Sequence, residues 1–204
     1  MRDQLRAGAA IYNAGYYHAA HDAWEDHWLD LEAGTNDERL LHGLIQFTAA
    51  VVHARERNWE GAVGLAESAG EYLAELPADY RNVRLPPVRS FLEALAADPE
   101  LVERQPPVRL VHEGTAPAPA ELAFEPTAIA APVLADELGY DVAPVDAARQ
   151  YAEQDLAAGD DDSRFITLVF DFVREDEHRG LIHQRLADHV GRREARESDV
   201  EGLF

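Results

Sequence analysis

The chain has 204 residues, of which 47% are hydrophobic, and this is enough for one well-packed core and a smaller second one. Its formal net charge is −21, and because lysine is absent all 18 basic residues are arginine. Such a surface repels phosphate, so we expect no nucleic-acid partner; only Arg192, Arg193 and Arg196 form a concentrated basic stretch. Cysteine is also absent, which leaves imidazole, carboxylate and amide oxygen as metal ligands.

Hydrophobic periodicity over residues 1–100 predicts an all-α fold, a compact bundle of antiparallel helices. Glycine, proline and helix-capping residues separate the helical stretches. The predicted helices are Arg2–Asn13, a tryptophan-rich helix that ends at about Glu32, Glu38 to about Arg55, Gly61–Leu76 and Pro87–Ala97.

The second half of the chain is predicted to contain a connecting segment and additional helices. Seven of the 11 prolines lie between Gln105 and Pro144, and since a long helix does not cross them we interpret residues 101–144 as a Pro/Ala-rich connecting segment. Within it, residues 108–111 and 122–124 could pair as a small hairpin.

Helical periodicity returns over residues 145–158, 163–174 and 178–196, which predicts that residues 145–204 add C-terminal helices packed on the bundle. The middle stretch, 163–174, is rich in β-branched residues around Phe165–Phe170. We favour a helix there, because a lone strand would leave its backbone hydrogen bonds unsatisfied.

Two neighbouring helices near the N-terminus each carry a row of polar side chains. On the tryptophan-rich helix, the row borders an apolar stripe of Tyr17, Ala20, Trp24, Trp28 and Leu31, and it consists of His18, His21 and Glu25. On the next helix His42, Gln46 and His53 fall within about 40° of one another on an otherwise apolar surface. Polar groups in such a position need partners inside the fold, and the first row could supply them. Trp24 and Trp28 are expected in the core rather than in a ligand cage.

His21 and Glu25 are four residues apart and can bind the same divalent cation, with His53 or His42 arriving from the neighbouring helix. Two imidazoles and a carboxylate suffice for zinc, manganese or iron. The alternative is a His–Glu pair that makes one hydrogen bond and nothing more. Gln46 needs partners for both its donor and its acceptor, and His21, Glu25 and His53 are the candidates. A structural network that fixes the register of the helices is an equal alternative to a functional site.

The motifs follow one another in order as Asn13-x-Gly15-x-Tyr17, His21-Asp22-x-Trp24-Glu25-x-x-Trp28, Gly43-Leu44-Ile45-Gln46, His53 and Asn58-x-x-Gly61-Ala62. This pattern resembles the family called domain of unknown function 309, many members of which carry the label of a predicted metal-dependent hydrolase. The resemblance covers about residues 8–76, implies a compact all-helical bundle, and with the acidic composition indicates a haloarchaeal-type member. The matching positions are His21, Trp24, Glu25, Trp28, Gly43, Gln46, His53, Asn58 and Gly61. Asp22 stands where the family pattern leads us to expect glutamate.

Two functions remain open at this point. As an enzyme, the protein would hold a divalent metal ion on His21, Glu25 and His53 to activate water. Glu25, Gln46 and Asp22 are then the candidate catalytic residues, with Gln46 orienting the water or polarising the substrate and Asp22 or His18 exchanging protons. As a non-catalytic binding or scaffold module, the same side chains would form a structural network.

The expected partner and cellular compartment follow only from the features that the sequence lacks. No stretch of the sequence reaches the roughly 18 apolar residues of a membrane span, and Met-Arg-Asp-Gln at the start lacks the apolar region of a secretory signal. We therefore expect a cytoplasmic protein with no membrane partner, which binds an unidentified small molecule or protein and has the helical surface needed for a homo-oligomer. Excess Asp and Glu with no lysine is typical of adaptation to molar salt.

Overall fold

The structure is a computed structural model that describes residues 1–201. The fold is all-α, as the sequence predicts, with ten α-helices and one very small sheet in the described part of the chain. The chain divides into two units, residues 1–122 and the residues from Ala123 onward. The boundary lies inside the predicted connecting segment, and residues 202–204 of the predicted C-terminal region lie outside the described residues.

The N-terminal unit is a bundle in which each long helix packs against the next one in sequence. Its helices are α1 Arg2–Asn13, α2 Tyr17–Leu29, α3 Asn36–Arg55, α4 Trp59–Ala74, α5 Leu85–Ala97 and the single turn α6 Leu101–Arg104. Side-chain oxygens cap two of them, because Thr35 accepts from the Glu38 N–H and Asn58 accepts from the Gly61 N–H. These caps set where α3 and α4 begin, and the cap of α3 thereby positions the polar row on that helix.

Close packing of α1 on α2 depends on Gly8 and Trp24. The indole of Trp24 is fully buried, and its Nε1–H donates to the Gln4 carbonyl oxygen over 2.9 Å. A Cβ atom at Gly8 would lie 2.2 Å from the indole ring, so only glycine allows this approach. The prediction that Trp24 belongs to the core is confirmed, whereas Trp28 is half-buried.

A two-stranded hairpin connects α4 to α5, and the sequence analysis did not predict it. Its strands β1 Asp79–Tyr80 and β2 Val83–Arg84 are antiparallel. The turn places Arg81 and Asn82 at φ of 51° and 61°, the left-handed conformation that a tight two-residue hairpin turn requires.

Residues 105–122 are held on the N-terminal unit by backbone pairing. His112 forms a bridge with Val83, and the Arg84 N–H donates to the Val111 carbonyl oxygen over 3.0 Å. The predicted hairpin between residues 108–111 and 122–124 is therefore wrong, because the first of these stretches lies beside β2 and the second leads into a helix.

The side chain of Asn13, at the end of α1, fixes the same segment. Its Nδ2 donates to the carbonyl oxygens of Leu110 and Pro117 over 2.9 and 3.1 Å, and its Oδ1 accepts from the Leu110 N–H over 2.8 Å. All three bonds satisfy backbone N–H and C=O groups that do not pair with a strand. This motif residue therefore has a structural role.

The C-terminal unit consists of four helices that pack on one another. They are α7 Phe124–Glu137, α8 Val142–Ala157, α9 Arg164–Arg174 and α10 Arg179–Glu201. The prediction of a helix over residues 163–174 is confirmed. In the described residues no helix is both long enough and apolar enough to cross a lipid bilayer.

Helix α7 contradicts the expectation that no long helix crosses the proline-rich region. Pro126 is its third residue, where the backbone N–H would have no intrahelical acceptor in any case. Pro132 lies inside the helix and removes one hydrogen bond. Burial of much of α7, including Leu134, offsets that loss, so tertiary packing outweighs the local preference.

Candidate functional site

Four polar side chains form one patch on α2. His18, His21, Asp22 and Glu25 follow the spacing i, i+3, i+4, i+7, which places them on one helical face. His21 Nε2 lies 3.6 Å from Glu25 Oε1, and His18 Nδ1 lies 3.5 Å from Asp22 Oδ2. The rings of His18 and His21 are almost parallel, with their centroids 6.2 Å apart.

The side chains of His21, Asp22 and Glu25 offer three ligand atoms that all lie within 4.8 Å of one another. Among the described residues, no other group of three or more histidines and carboxylates meets this spacing. The side chains are 30%, 39% and 47% exposed, so the group is open to solvent on one side. One imidazole and two carboxylates match the preferences of a divalent transition metal, and the open side leaves coordination positions for water or substrate.

His53, the third predicted metal ligand, does not join this group. Its Nδ1 lies 2.6 Å from Asn58 Nδ2 at the junction between α3 and α4. Because Asn58 Oδ1 already accepts from the Gly61 N–H, the amide nitrogen is the atom that faces His53 and donates to it. The neutral ring then carries its proton on Nε2, and neither ring nitrogen has a lone pair free for a cation.

Gln46 bonds to its own helix and not to the predicted partners His21, Glu25 or His53. Its Nε2 donates to His42 Nε2 over 3.0 Å, and His42 Nδ1 in turn donates to Glu38 Oε1 over 3.1 Å. The Oε1 atom of Gln46 is buried without a hydrogen-bond partner in the described residues. Gln46 is thus the end of a hydrogen-bonded row along α3.

Two aromatic rings enclose this row. Trp28 Nε1–H donates to Glu38 Oε1 over 3.0 Å, and the Trp28 and His42 ring centroids lie 4.7 Å apart. On the other side Tyr72 stacks on His42 with a centroid distance of 4.0 Å. Glu38 and Tyr72 were missed by the sequence analysis, although the spacing of Glu38, His42 and Gln46, four residues each, was visible.

Glu38 is the charged anchor of the row. Burial alone would raise the pKa of its carboxyl, but hydrogen bonds from the Trp28 indole, the Gly34 backbone N–H and His42 outweigh burial and hold the pKa below its ordinary value. The ionised form is therefore stabilised by folding. That contribution is complete above the pKa of the unfolded chain and is lost as the pH falls through the lowered pKa of the folded protein.

We expect Glu38→Gln to lower the free energy of unfolding at pH 7 by about 1–2 kcal/mol, because hydrogen bonds to a charged acceptor become neutral ones. Well below pH 4.5, the ordinary value for glutamate, the difference from the wild type should shrink. Urea unfolding followed by circular dichroism at both pH values measures this. Glu75→Gln is the control, because Glu75 is 74% exposed and pairs only at the surface with Arg39. Equal destabilisation by Glu38→Gln at both pH values would contradict the role of its charge.

Three further motif positions serve packing or capping. A Cβ atom at Gly43 would lie 2.6 Å from Leu73 Cδ2 on α4, and one at Gly61 would lie 2.4 Å from His53 Nδ1. Asn58 caps α4. Of the predicted site residues, only His21, Asp22 and Glu25 are brought together, whereas Gln46 and His53 have separate hydrogen-bond partners.

The comparisons with known proteins bear on the N-terminal unit. No curated protein matches the chain at a significant level. Residues 5–65 match the family described as Domain of unknown function (DUF309). This region spans α1, α2, α3 and the beginning of α4, and it contains every predicted site residue. Residues 5–65 are therefore similar to the DUF309 family, which the motifs of the chain also resemble.

Proposed function

We propose that the N-terminal unit binds a divalent transition-metal ion through His21, Asp22 and Glu25 and uses it to hydrolyse a small substrate. The observation that carries the proposal is the group of three ligand atoms within 4.8 Å of one another on α2. The earlier ligand set of His21, Glu25 and His53 is thereby modified, with Asp22 in place of His53.

The roles of the other motif residues support the polar face of α2 as the metal site. Trp24 fills the core, Asn58 caps a helix, His53 is bonded to Asn58, and Gln46 is bonded to His42. Each of these positions has a structural explanation. On the polar face of α2 the histidines and carboxylates lie 3.5 and 3.6 Å from one another, and the face is open to solvent.

The donor set indicates which metal ion to expect. Imidazole together with carboxylate oxygen suits zinc, manganese and ferrous iron, whereas calcium and magnesium prefer oxygen ligands alone. Three donors within one turn and a half of a helix leave the remaining positions open. An open position is typical of catalytic sites and not of structural ones.

A divalent cation held here would supply Lewis acidity toward a carbonyl or phosphoryl oxygen. Its ligands Asp22 and Glu25 would orient the imidazoles of His18 and His21, which lie within 3.6 Å of them. The His18 ring, at the exposed end of the patch, is placed to take a proton from water and return it to a leaving group.

Calorimetric titration of untagged protein with zinc and manganese tests the proposal. We expect one ion per chain, and Glu25→Gln and His21→Ala should each weaken binding by at least about 10–100-fold, because loss of a residue that only orients a ligand already costs this much. His27→Ala is the matched control, because His27 lies on the same helix outside the patch. His53→Ala should also leave binding unchanged.

Two results would contradict the proposal. Less than one tenth of an equivalent of bound metal would remove it. A loss on His53→Ala as large as that on His21→Ala would instead restore the ligand set that joins two helices.

A second candidate is a non-catalytic helical binding module. The specific observation in its favour is the hydrogen-bonded row of Glu38, His42 and Gln46, closed on both sides by aromatic rings, which fixes α3 against its neighbours without any ligand. The metal titration separates the two candidates, because this row does not require an ion.

A further inference from the structure

A pocket of about 490 Å³ lies in the C-terminal unit where the start of α9 meets α10. Its lining residues are Arg164, Phe165, His189, Arg192, Arg193 and Arg196. Four arginines in one pocket are unexpected in a chain with a net charge of −21. Because like charges repel one another, a negatively charged partner is needed to stabilise four arginines in one pocket.

In the part of the chain that the structure describes, carboxylates pair with only one of the four arginines. Arg193 is bonded to Asp155 and Glu197. In contrast, the residues that the structure describes provide no carboxylate for Arg164, Arg192 or Arg196, all of which are exposed. Their guanidinium groups are therefore available to an external anion.

The surroundings of His189 show how concentrated the positive charge is. Burial lowers the pKa of His189 first, and the charges of Arg192, Arg164 and Arg196 lower it further, whereas Asp188 raises it. These three arginines, from two helices, line the same pocket as the His189 ring. The pocket is not a row of side chains along a single helix.

The start of α9 adds to the field in the pocket. Arg164 and Phe165 are the first two residues of this 11-residue helix, whose cap is the Ser163 hydroxyl. The N-terminus of a helix carries partial positive charge and favours anions. The backbone at the start of α9 and the arginine side chains therefore both favour a negatively charged ligand.

We propose that this pocket binds a phosphate group, either free or at the end of a small organic molecule. Guanidinium groups bind phosphate oxygens by paired, charge-assisted hydrogen bonds, and a phosphate dianion balances more of the charge of Arg164, Arg192 and Arg196 than a single carboxylate does. The volume exceeds that of a phosphate ion, so an organic part can lie beside Phe165 and His189.

A nucleic-acid backbone fits the pocket less well. An extended strand would bring further phosphates onto a surface that is strongly acidic overall, and binding a strand requires a line of cations. Within the basic stretch 192–196, Arg193 is already used in ion pairs inside the protein. The remaining cations line one pocket and do not follow a strand-length groove, which suits a single phosphate.

Titration of the full-length protein with inorganic phosphate and with phenyl phosphate, at constant ionic strength set by chloride, tests the proposal. The readouts are calorimetry and the NMR signals of the His189 ring. We expect saturable binding of one phosphate per chain, and Arg164→Gln and Arg192→Gln should each weaken it by about 10-fold, as expected for loss of a charge-assisted hydrogen bond. Tighter binding of phenyl phosphate would identify an organic phosphate as the ligand, and equal binding would identify free phosphate.

Arg185→Gln is the matched control, since Arg185 is an exposed arginine on α10 that does not line the pocket. It should change the affinity by less than about twofold. The proposal fails if phosphate does not saturate, or if Arg185→Gln weakens binding as much as Arg192→Gln, because a diffuse field would then explain the effect. It also fails if a single-stranded oligonucleotide binds and phosphate does not displace it.

Discussion

Replacing Trp24 by alanine is expected to lower the free energy of unfolding of the N-terminal unit by about 3–5 kcal/mol. The indole is fully buried between α1 and α2, where it contacts Gly8 and bonds to the Gln4 carbonyl oxygen. Alanine would leave a cavity and an unsatisfied acceptor, and α1 is too firmly packed to collapse into the space. Urea unfolding followed by the fluorescence of the two remaining tryptophans, both in this unit, measures the loss.

Trp59→Ala is the control for this prediction. Trp59 is the first residue of α4 and is only half-buried, so we expect a loss below about 1.5 kcal/mol. If Trp24→Ala does not fold, Trp24→Phe keeps most of the volume and removes the indole hydrogen bond, and should cost about 1–3 kcal/mol. Equal losses in Trp24→Ala and Trp59→Ala would show that the α1–α2 contact is not a centre of stability.

The helices of the N-terminal unit could be predicted because their signals are local. Gly15 follows α1 with a positive φ of 94°, and Thr35 caps α3 through its own hydroxyl. The apolar stripe on α2 placed Trp24 in the core, since a helix fixes which residues share a face. Each of these features depends on residues only a few positions apart.

The small sheet could not be predicted for the opposite reason. Each of its strands has two residues, too few to show alternation, and its turn has Arg81 and Asn82 where glycine is the usual signal. The bridge from Val83 to His112 joins residues far apart in sequence. In α7, packing that no local pattern reveals outweighs the interruption by Pro132.

The same distinction explains which of the predicted site residues lie together in the structure and which do not. Helix geometry alone brings His21 and Glu25 together, because four residues make about one turn. A meeting of His21 with His53 depends on the rotation of α2 relative to α3, which periodicity does not determine. The predicted partners of Gln46 were His21, Glu25 and His53, although His42 lies one turn away on α3 and is the residue that Gln46 bonds to.

In the C-terminal unit, Arg179→Leu is expected to lower the free energy of unfolding by about 3 kcal/mol, because each orphaned buried acceptor costs about 1–3 kcal/mol. Arg179 is only 5% exposed although it carries a charge. Its Nε donates to the Phe172 carbonyl oxygen over 2.8 Å and its Nη2 to that of Val173 over 3.3 Å. Both carbonyls belong to the last turn of α9, where no backbone N–H of the helix reaches them.

Lysine at the same position gives a graded test of this interpretation. Its ammonium keeps the charge and the ion pair with Asp176 but lacks the planar fork that reaches two carbonyls, so Arg179→Lys should lose about half as much stability as Arg179→Leu. The urea transition is followed by far-ultraviolet circular dichroism. Tryptophan fluorescence is recorded alongside, because all three tryptophans lie in the N-terminal unit.

Arg185→Leu, at an exposed position on the same helix, should stay within about 0.5 kcal/mol of the wild type. If Arg185→Leu lowers the free energy of unfolding as much as Arg179→Leu does, the loss of stability comes from removing a charge from α10. The capping of α9 by Arg179 is then not the cause. If only Arg179→Leu is destabilised, and Arg179→Lys lies between, the buried arginine acts through its two carbonyl bonds. The end of α9 then depends on a side chain from the first residue of α10.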